Sequence, residues 1–369
     1  MITTTLVGNI QEFFELHDEW NALVNSSASN CVFLTHEWLF TWWKHLSEGR
    51  ELSIVAARDG EKLIGIMPLA KRTAQYTRMV PRVAEFLGSG VIGSDYLDAV
   101  IEKGREKEVL SAFGVELNRW GLMLQLTQLR ARNCVAGALP EVLGQEQWVA
   151  SETNINVCPF IDLGNHTWES YLASLSSSQR YSFNRKLRAL EKGFNVRLDV
   201  IKTESDAQHG LDLVIALHQK RWSSHGSSEA FQTAAVTAFH QEFVSLAAKR
   251  GWLRLIILNL DNAATAAIYG LRYGPTFYFY QSGLDPAYSK QSVGLVVMGL
   301  AIKQALDEGA CEYDLLHGEE EYKFHWTHAQ RDLGRIELYP PHARGRIYKR
   351  AIYFNRAARQ MVRRVLYKA

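Results

Sequence analysis

The apolar positions of this chain change period several times, and each change predicts a new element. Phe13, Trp20 and Val24 share one face of a helix predicted over Ile10 to Val24, and Thr35 stands where it would cap a second helix, His36 to Leu46. Two shorter runs, Leu52 to Ala57 and Lys62 to Leu69, flank the turn Arg58-Asp59-Gly60-Glu61 and predict an antiparallel hairpin. Tyr96 to Ile101 reads as a strand. Arg105 to Arg119 then reads as a helix turning Val109, Leu110, Phe113 and Leu117 inward, and Leu122 to Leu129 as another strand.

The second part of the chain repeats that order with longer helices. Trp168 to Lys192 is helical in part, Phe194 to Ile201 a strand, and Asp206 to Trp222 and Ala230 to Arg250 are helices. Trp252 to Leu258, Ala264 to Tyr273 and Thr276 to Gly283 are three antiparallel strands, joined by turns at Asp261-Asn262 and Gly274-Pro275. A helix from Val293 to Glu308, stopped by Gly309, leads to a strand at Tyr313. The pattern predicts an α/β chain of two similar mixed-sheet domains, 1–155 and 156–343, with Ser151 to Gly164 as the joint.

Composition narrows the class. A chain of 369 residues with 47% hydrophobic and 22% charged residues has enough apolar surface for two cores. Its start lacks the basic and apolar pattern of a signal peptide, and its longest apolar run, Val293 to Ile302, is too short to span a bilayer, so a cytoplasmic protein is expected. The four cysteines are widely separated and have no zinc-ligand spacing, so neither disulfides nor a metal is expected. Nine basic residues and no acidic one lie between Arg344 and Lys368, so the body before them is net negative and does not look like a DNA binder. That tail, 344–369, carries Ile347, Ala351, Phe354, Ala358, Met361 and Val365 at helical spacing. It reads as a basic amphipathic helix that either docks on its own domain or contacts an anionic membrane surface or an RNA.

Two segments gather chemistry. Tyr313 to Lys323 runs from a buried strand through Gly318 into a cluster holding His317, Glu319, Tyr322 and Lys323, at a strand's carboxyl end where α/β sheets place ligand crevices. The same run also reads as a solvated acidic turn. Gln291-Ser292-Val293-Gly294 opens the last long helix. The free N–H groups of such an N-terminus bind phosphate, and Ser292 there is equally an ordinary N-cap. Arg180, Arg185, Lys186 and Arg188 form a basic patch that reads either as an anion site or as a solvated face.

Three antiparallel strands, a glycine-bearing turn, a helix and a strand resemble the core of the GNAT acyltransferases, and Gln291-Ser-Val-Gly294 is similar to the first anchors of their phosphate motif, with Val296 departing from its last small residue. More specifically the chain resembles the CelD-like branch, named for cellulose biosynthesis, whose members join two such folds and are related to FemAB-like transferases. The markers are Phe33-Leu-Thr-His-Glu-Trp-Leu39 with Trp42 and Trp43, Ile64-Gly-Ile-Met-Pro-Leu69, Ser94-Asp-Tyr-Leu-Asp98, Gln179 to Arg188, and Asp314, Gly318, Glu319, Glu320, Tyr322 and Lys323.

The resemblance implies two tandem GNAT-like domains, the first degenerate. It also implies acetyl-CoA or another acyl-CoA as co-substrate, held by Gln281, Ser282, Gln291, Ser292, Val293 and Gly294. The expected reaction is acyl transfer to an amine or hydroxyl of a sugar, nucleotide-sugar or polysaccharide precursor. Tyr322 would serve as general acid, Glu319 or His317 as base and Lys323 as an electrostatic aid, while Arg185, Arg188 and Asp314 would meet the acceptor. Two alternatives stay open: an aminoacyl-tRNA donor, as in FemAB-like relatives, and a non-catalytic accessory of a polysaccharide-synthesis complex. The acyl group, the acceptor and the oligomeric state stay open as well.

Overall fold

The computed structural model describes residues 1–72, 82–131, 134–223 and 230–342, with 345, 347 and 349 beyond them. Strand β1 (Ile2–Val7) precedes helices α1 (Ile10–Glu15), α2 (His17–Ser26) and α3 (His36–Leu46). Six strands follow: β2 (Arg50–Leu52), β3 (Ile54–Asp59), β4 (Lys62–Met67), β5 (Leu69–Arg72), β6 (Val83–Phe86) and β7 (Val100–Ile101). Next come α4 (Glu106–Trp120), β8 (Met123–Arg130), α5 (Leu139–Gly144) and the long strand β9 (Val149–Asp162). The second half contains α6 (Trp168–Ser174), α7 (Ser177–Gly193), β10 (Val196–Ile201), α8 (Glu204–Ser223), α9 (Ala234–Lys249), β11 (Leu253–Leu260), β12 (Ala263–Tyr273) and β13 (Thr276–Leu284). It ends with α10 (Val293–Asp307), β14 (Glu312–Asp314), α11 (Glu321–Phe324) and β15 (Gln330–Tyr339).

The fold is mixed α/β with open sheets, as the pattern predicts. Four strands pair in the order β1-β3-β4-β7, and eleven in the order β10-β11-β12-β13-β14-β9-β15-β8-β6-β5-β2. The two halves therefore share one sheet. Strand β15 hydrogen-bonds β9 along one edge and β8 along the other, which ties the end of the second half into the first. The segment expected as a joint is itself a 14-residue strand, and residue 155 lies inside it.

Local chemistry explains most elements. Thr35 caps α3 by accepting the Trp38 N–H, and Ser176 and Gln179 form a reciprocal capping box on α7. Asp261 and Asn262 both take positive φ, as the two-residue hairpin between β11 and β12 requires. Two expected elements differ. The helix predicted over Ile10 to Val24 breaks at Leu16, where the N–H turns to Phe13 O; Phe13 and Trp20 are then both fully buried, with the indole N–H donated to Leu34 O. The strand predicted from Tyr96 shrinks to Val100–Ile101, because Tyr96 adopts a φ of 60° and its neighbours are drawn into hydrogen bonds elsewhere. Asp98 accepts the N–H groups of Ala99, Val135 and Ala136, and burial pushes its carboxyl up to about 6.

One continuous core runs between the halves. Trp38 on α3 stacks edge-on against Phe239 and Phe243 of α9 and Tyr280 of β13, and gives its indole N–H to Ser94. A second core lies beneath α10, where Phe183 fills the space beside Gly299. The predicted basic helix at 344–369 lies outside the described residues, apart from 345, 347 and 349.

Candidate active site

The site begins where two strands part. β13 pairs in parallel with β14 only from Thr276 to Tyr278; beyond Asp314 the chain follows β9 instead, with Leu315 N–H donated to Pro159 O and Gly318 N–H to Val157 O. The rest of β13 faces open space on that side. On its other side the register slips by one at Tyr280, a bulge of the kind that recurs beside active sites.

A cleft of about 620 Å³ fills the gap, lined by Phe279, Ser282, Gly283, Gly294, Met298 and Tyr322 among others. Helix α8 crosses β13 directly over Gly283, where a Cβ would lie 2.3 Å from His218 N, so only glycine permits this approach. That crossing brings Arg221 to the cleft, its guanidinium donating to Ser282 Oγ and lying over the Tyr322 ring.

Helix α10 points its N-terminus at the cleft through Gly294. Leu295 and Val296 both donate to Ser292 O, so Val293 and Gly294 hold the N–H groups that precede the first intrahelical bond. The first turn carries no acid, and the buried Gln291 Oε1 has no hydrogen-bond partner among the described residues. These features fit an anionic pyrophosphate. Ser292 does not act as the expected side-chain cap: it takes a φ of 58° and makes no capping hydrogen bond. Val296, the departure from the GNAT motif, is fully buried in the core and takes no cleft space.

A second cleft of about 320 Å³ backs onto the first and shares Phe279 and Tyr322 with it. Gly90 to Gly93 and Gln128 from the first half form one wall; His240, Tyr280, Gln281, His317, Glu320 and Lys323 line the rest. His317 is held by Asp95, a residue of the first half with no solvent exposure. The Asp95 carboxylate accepts the His317 backbone N–H at 2.8 Å and faces Nδ1 at 2.9 Å, and it raises the imidazole's pKa. Lys323 is buried and spends its protons on His317 O at 2.6 Å, Leu316 O at 3.3 Å and Glu320 Oε2 at 3.0 Å.

The structure brings several expected residues together and leaves others apart. Tyr322 stands between the clefts, and burial, then Glu320, pushes its phenol above the ordinary range. Of the expected donor contacts, Ser282 and Gly294 line the first cleft and Gln281 the second; Val293 turns its side chain into the core. Glu319 is exposed and lines neither cleft, whereas Glu320 lines the second. Arg185 and Arg188 are exposed on the outside of α7, away from both linings, because Phe183 and Leu190 turn the opposite face inward; Arg185 lies over Tyr181. Gln179 of the same helix does line the first cleft. Asp314 is fully buried beneath the site, accepting from Tyr96 OH, Leu316 N–H and Arg331, which leaves it no surface for an acceptor. Asp95 stands in the sequence only as part of the Ser94 to Asp98 marker, with no site role, since nothing there links it to a histidine 222 positions away.

Residues 177–324 match the family model described as acetyltransferase (GNAT) domain, a range that includes α10, His317 and Tyr322. Among solved structures, FemX is similar over 91% of this chain and 96% of its own, with a TM-score of 0.62 and 10% identity. The C-terminal domain of a putative lysylphosphatidylglycerol synthetase from Agrobacterium fabrum covers 92% and 95%, with a TM-score of 0.56 and 11% identity. The L-PGS structure from Bacillus licheniformis covers 88% and 91%, with a TM-score of 0.54 and 9% identity. At these identities the likeness concerns the fold. No curated protein matches the chain. The second half thus carries a GNAT-type acyltransferase domain. Among the described residues no helix is long and apolar enough to cross a membrane, and no cluster of side chains has metal-ligand geometry.

Proposed function

We propose that this chain is an acyl-CoA-dependent acyltransferase that acylates an amine or hydroxyl of a sugar, nucleotide-sugar or polysaccharide precursor. The observation that carries this reading is the meeting of two clefts at Phe279 and Tyr322, one floored by the N-terminus of α10 and the other by His317. In this reading the CoA pyrophosphate rests on the N–H groups at Val293 and Gly294, and its extended arm lies along the free edge of β13, as added strands do. The acceptor's lone pair attacks the thioester carbonyl carbon, and the C–S bond breaks as the new C–N or C–O bond forms. His317 Nε2 takes the proton shed by the acceptor, and the Tyr322 hydroxyl gives one to the departing thiolate. The raised phenol pKa keeps that proton available throughout the physiological range. His317 is preferred to Glu319 as base because it alone of the two lines a cleft. Lys323 stabilises the loop that carries His317 rather than contacting the thioester.

The test is incubation with acetyl-CoA and a panel of amino sugars and nucleotide sugars, followed by free thiol. Acceptor-dependent thiol release supports the reading. An aminoacyl-tRNA donor remains the second reading, favoured by the whole-chain likeness to FemX. Turnover with aminoacyl-tRNA and none with acyl-CoA would replace the first reading by it. Absence of acetyl-CoA binding by calorimetry from a folded chain that also ignores tRNA would favour the accessory role.

A further inference from the structure

Besides the wall from Gly90 to Gly93 and Gln128, the first half contributes one buried carboxylate to the site. Asp95 Oδ2 accepts the His317 backbone N–H at 2.8 Å, while Oδ1 lies 2.9 Å from Nδ1 of the same residue. That double grip fixes the backbone and the ring together. It also selects the Nδ1–H tautomer, so the lone pair lies on Nε2, the ring nitrogen with no described partner. Gln128 Nε2 at 3.3 Å and the Cys158 thiol at 3.7 Å complete the carboxylate's surroundings. Asp95 itself does not line the cleft and so acts through the imidazole.

The charges around that cleft are lopsided. Lys323 is engaged by two carbonyls and Glu320. His240, across the cleft on α9, stays neutral because burial pushes its pKa down to about 3. Glu320 at the rim offsets Lys323, and the charge left over is the Asp95 carboxylate behind the imidazole. No cation among the described lining residues is free to meet a phosphate or carboxylate, and aromatic surface from Phe231, Tyr280 and Tyr322 supplies the rest. At about 320 Å³ the space is at the small end of ligand pockets.

We infer that Asp95 is the positioning residue of the transfer site, aiming His317 at the acceptor, and that the cleft they share takes an uncharged or amine-bearing ring of monosaccharide size and turns away an anionic one. This rests on the acyltransferase reading and narrows its substrate class: in a nucleotide sugar the phosphates would stay outside the cleft.

The full-length chain is assayed by thiol release from acetyl-CoA with amino sugars and their phosphorylated counterparts, glucosamine against glucosamine 6-phosphate first, from pH 5.5 to 9.5. The His317 pKa is raised chiefly by the Asp95 charge and hydrogen bond, opposed by burial and Lys323 and aided by Glu320. Other titratable groups nearby include Cys158, Tyr96, Tyr280, Tyr322 and His240. The basic form therefore appears only above 6.5, and activity rises through an acid limb lying above that value. Asp95→Asn is expected to lower kcat by about 10- to 100-fold, to move the acid limb toward 6.5, and to leave acetyl-CoA affinity by calorimetry within twofold of wild type. Asp95→Glu is expected to restore part of the pH profile. The unphosphorylated sugar is expected to react at least tenfold faster.

An Asp95→Asn chain with wild-type turnover and an unmoved acid limb overturns the positioning role. Equal or better use of the phosphorylated sugars, or no reaction with any member while acetyl-CoA binds, overturns the acceptor class. Should the variant fail to fold, NMR titration of the wild-type His317 ring decides the pairing: a pKa at or below 6.5 overturns it. Failure of the wild type to bind acetyl-CoA is a separate result, counting against the donor cleft and read independently of the imidazole titration.

Discussion

Helices α4 and α10 occupy the same place in the two halves, each following an antiparallel array of four strands and leading to a further strand. Their N-termini differ. The first turn of α4 carries Glu106 and Glu108, and the Glu106 carboxylate already accepts the Gly104 N–H at 2.9 Å. That helix supplies its own anion. The first turn of α10 carries no acid, opens with Val293-Gly294 beside a splayed strand, and brings Gly294 to a cleft. One supersecondary order thus yields a helix start that carries its own acids in one half and an acid-free start beside a cleft in the other, and the difference lies in a few side chains.

The largest effect is expected from Gly294→Glu, which recreates at α10 what α4 has. Like charge against a phosphate costs several kcal/mol, so acetyl-CoA affinity should fall by about 100-fold or more in calorimetry. The reverse change, Glu106→Gln with Glu108→Gln, should create no second CoA site, because β7 is only two residues long, whereas β13 runs on to Leu284 beyond its pairing with β14; two-site binding isotherms would break the comparison. Tyr322→Phe should lower kcat by roughly 100-fold or more with little change in the KM for acetyl-CoA. Wild-type kcat in that variant would remove the phenol from the chemistry.

Next in size is the mechanical union of the halves. Trp38→Ala should cost about 3–5 kcal/mol and lower a single melting transition, since the core around Trp38 contains residues of both halves. Two resolved transitions in the wild type would show instead that the halves melt separately. Smallest of all, Glu106→Gln alone should lower stability by about 0.3–1 kcal/mol, measurable by denaturant titration at low salt.

The periodicity of apolar residues predicted the hairpins, the long helices and the mixed α/β class, because a buried stripe at the correct spacing is a local property. The segments that failed were drawn into non-local hydrogen bonds. The strand expected from Tyr96 gives up its first residues to such bonds: Tyr96 donates to Asp314, Asp98 accepts from Val135 and Ala136, and Asp95 just ahead of them accepts from His317. Arg185 and Arg188 looked like an anion site by charge alone, and helix rotation set by Phe183 and Leu190 turned them outward.

The sequence by itself determined where polar chemistry is dense: Tyr313 to Lys323, and the glycine-bearing start of α10. Only the tertiary structure decided which of those groups face a cavity. Glu319 and Glu320 are adjacent, chemically alike and both exposed, yet of the two Glu320 alone lines the second cleft and pairs with Lys323. His317 is set in place by Asp95, far away in the chain and brought to it by the sheet in which β15 joins β8 to β9. Periodicity reports the face an element buries; which distant carboxylate meets that face follows from how the two halves pack.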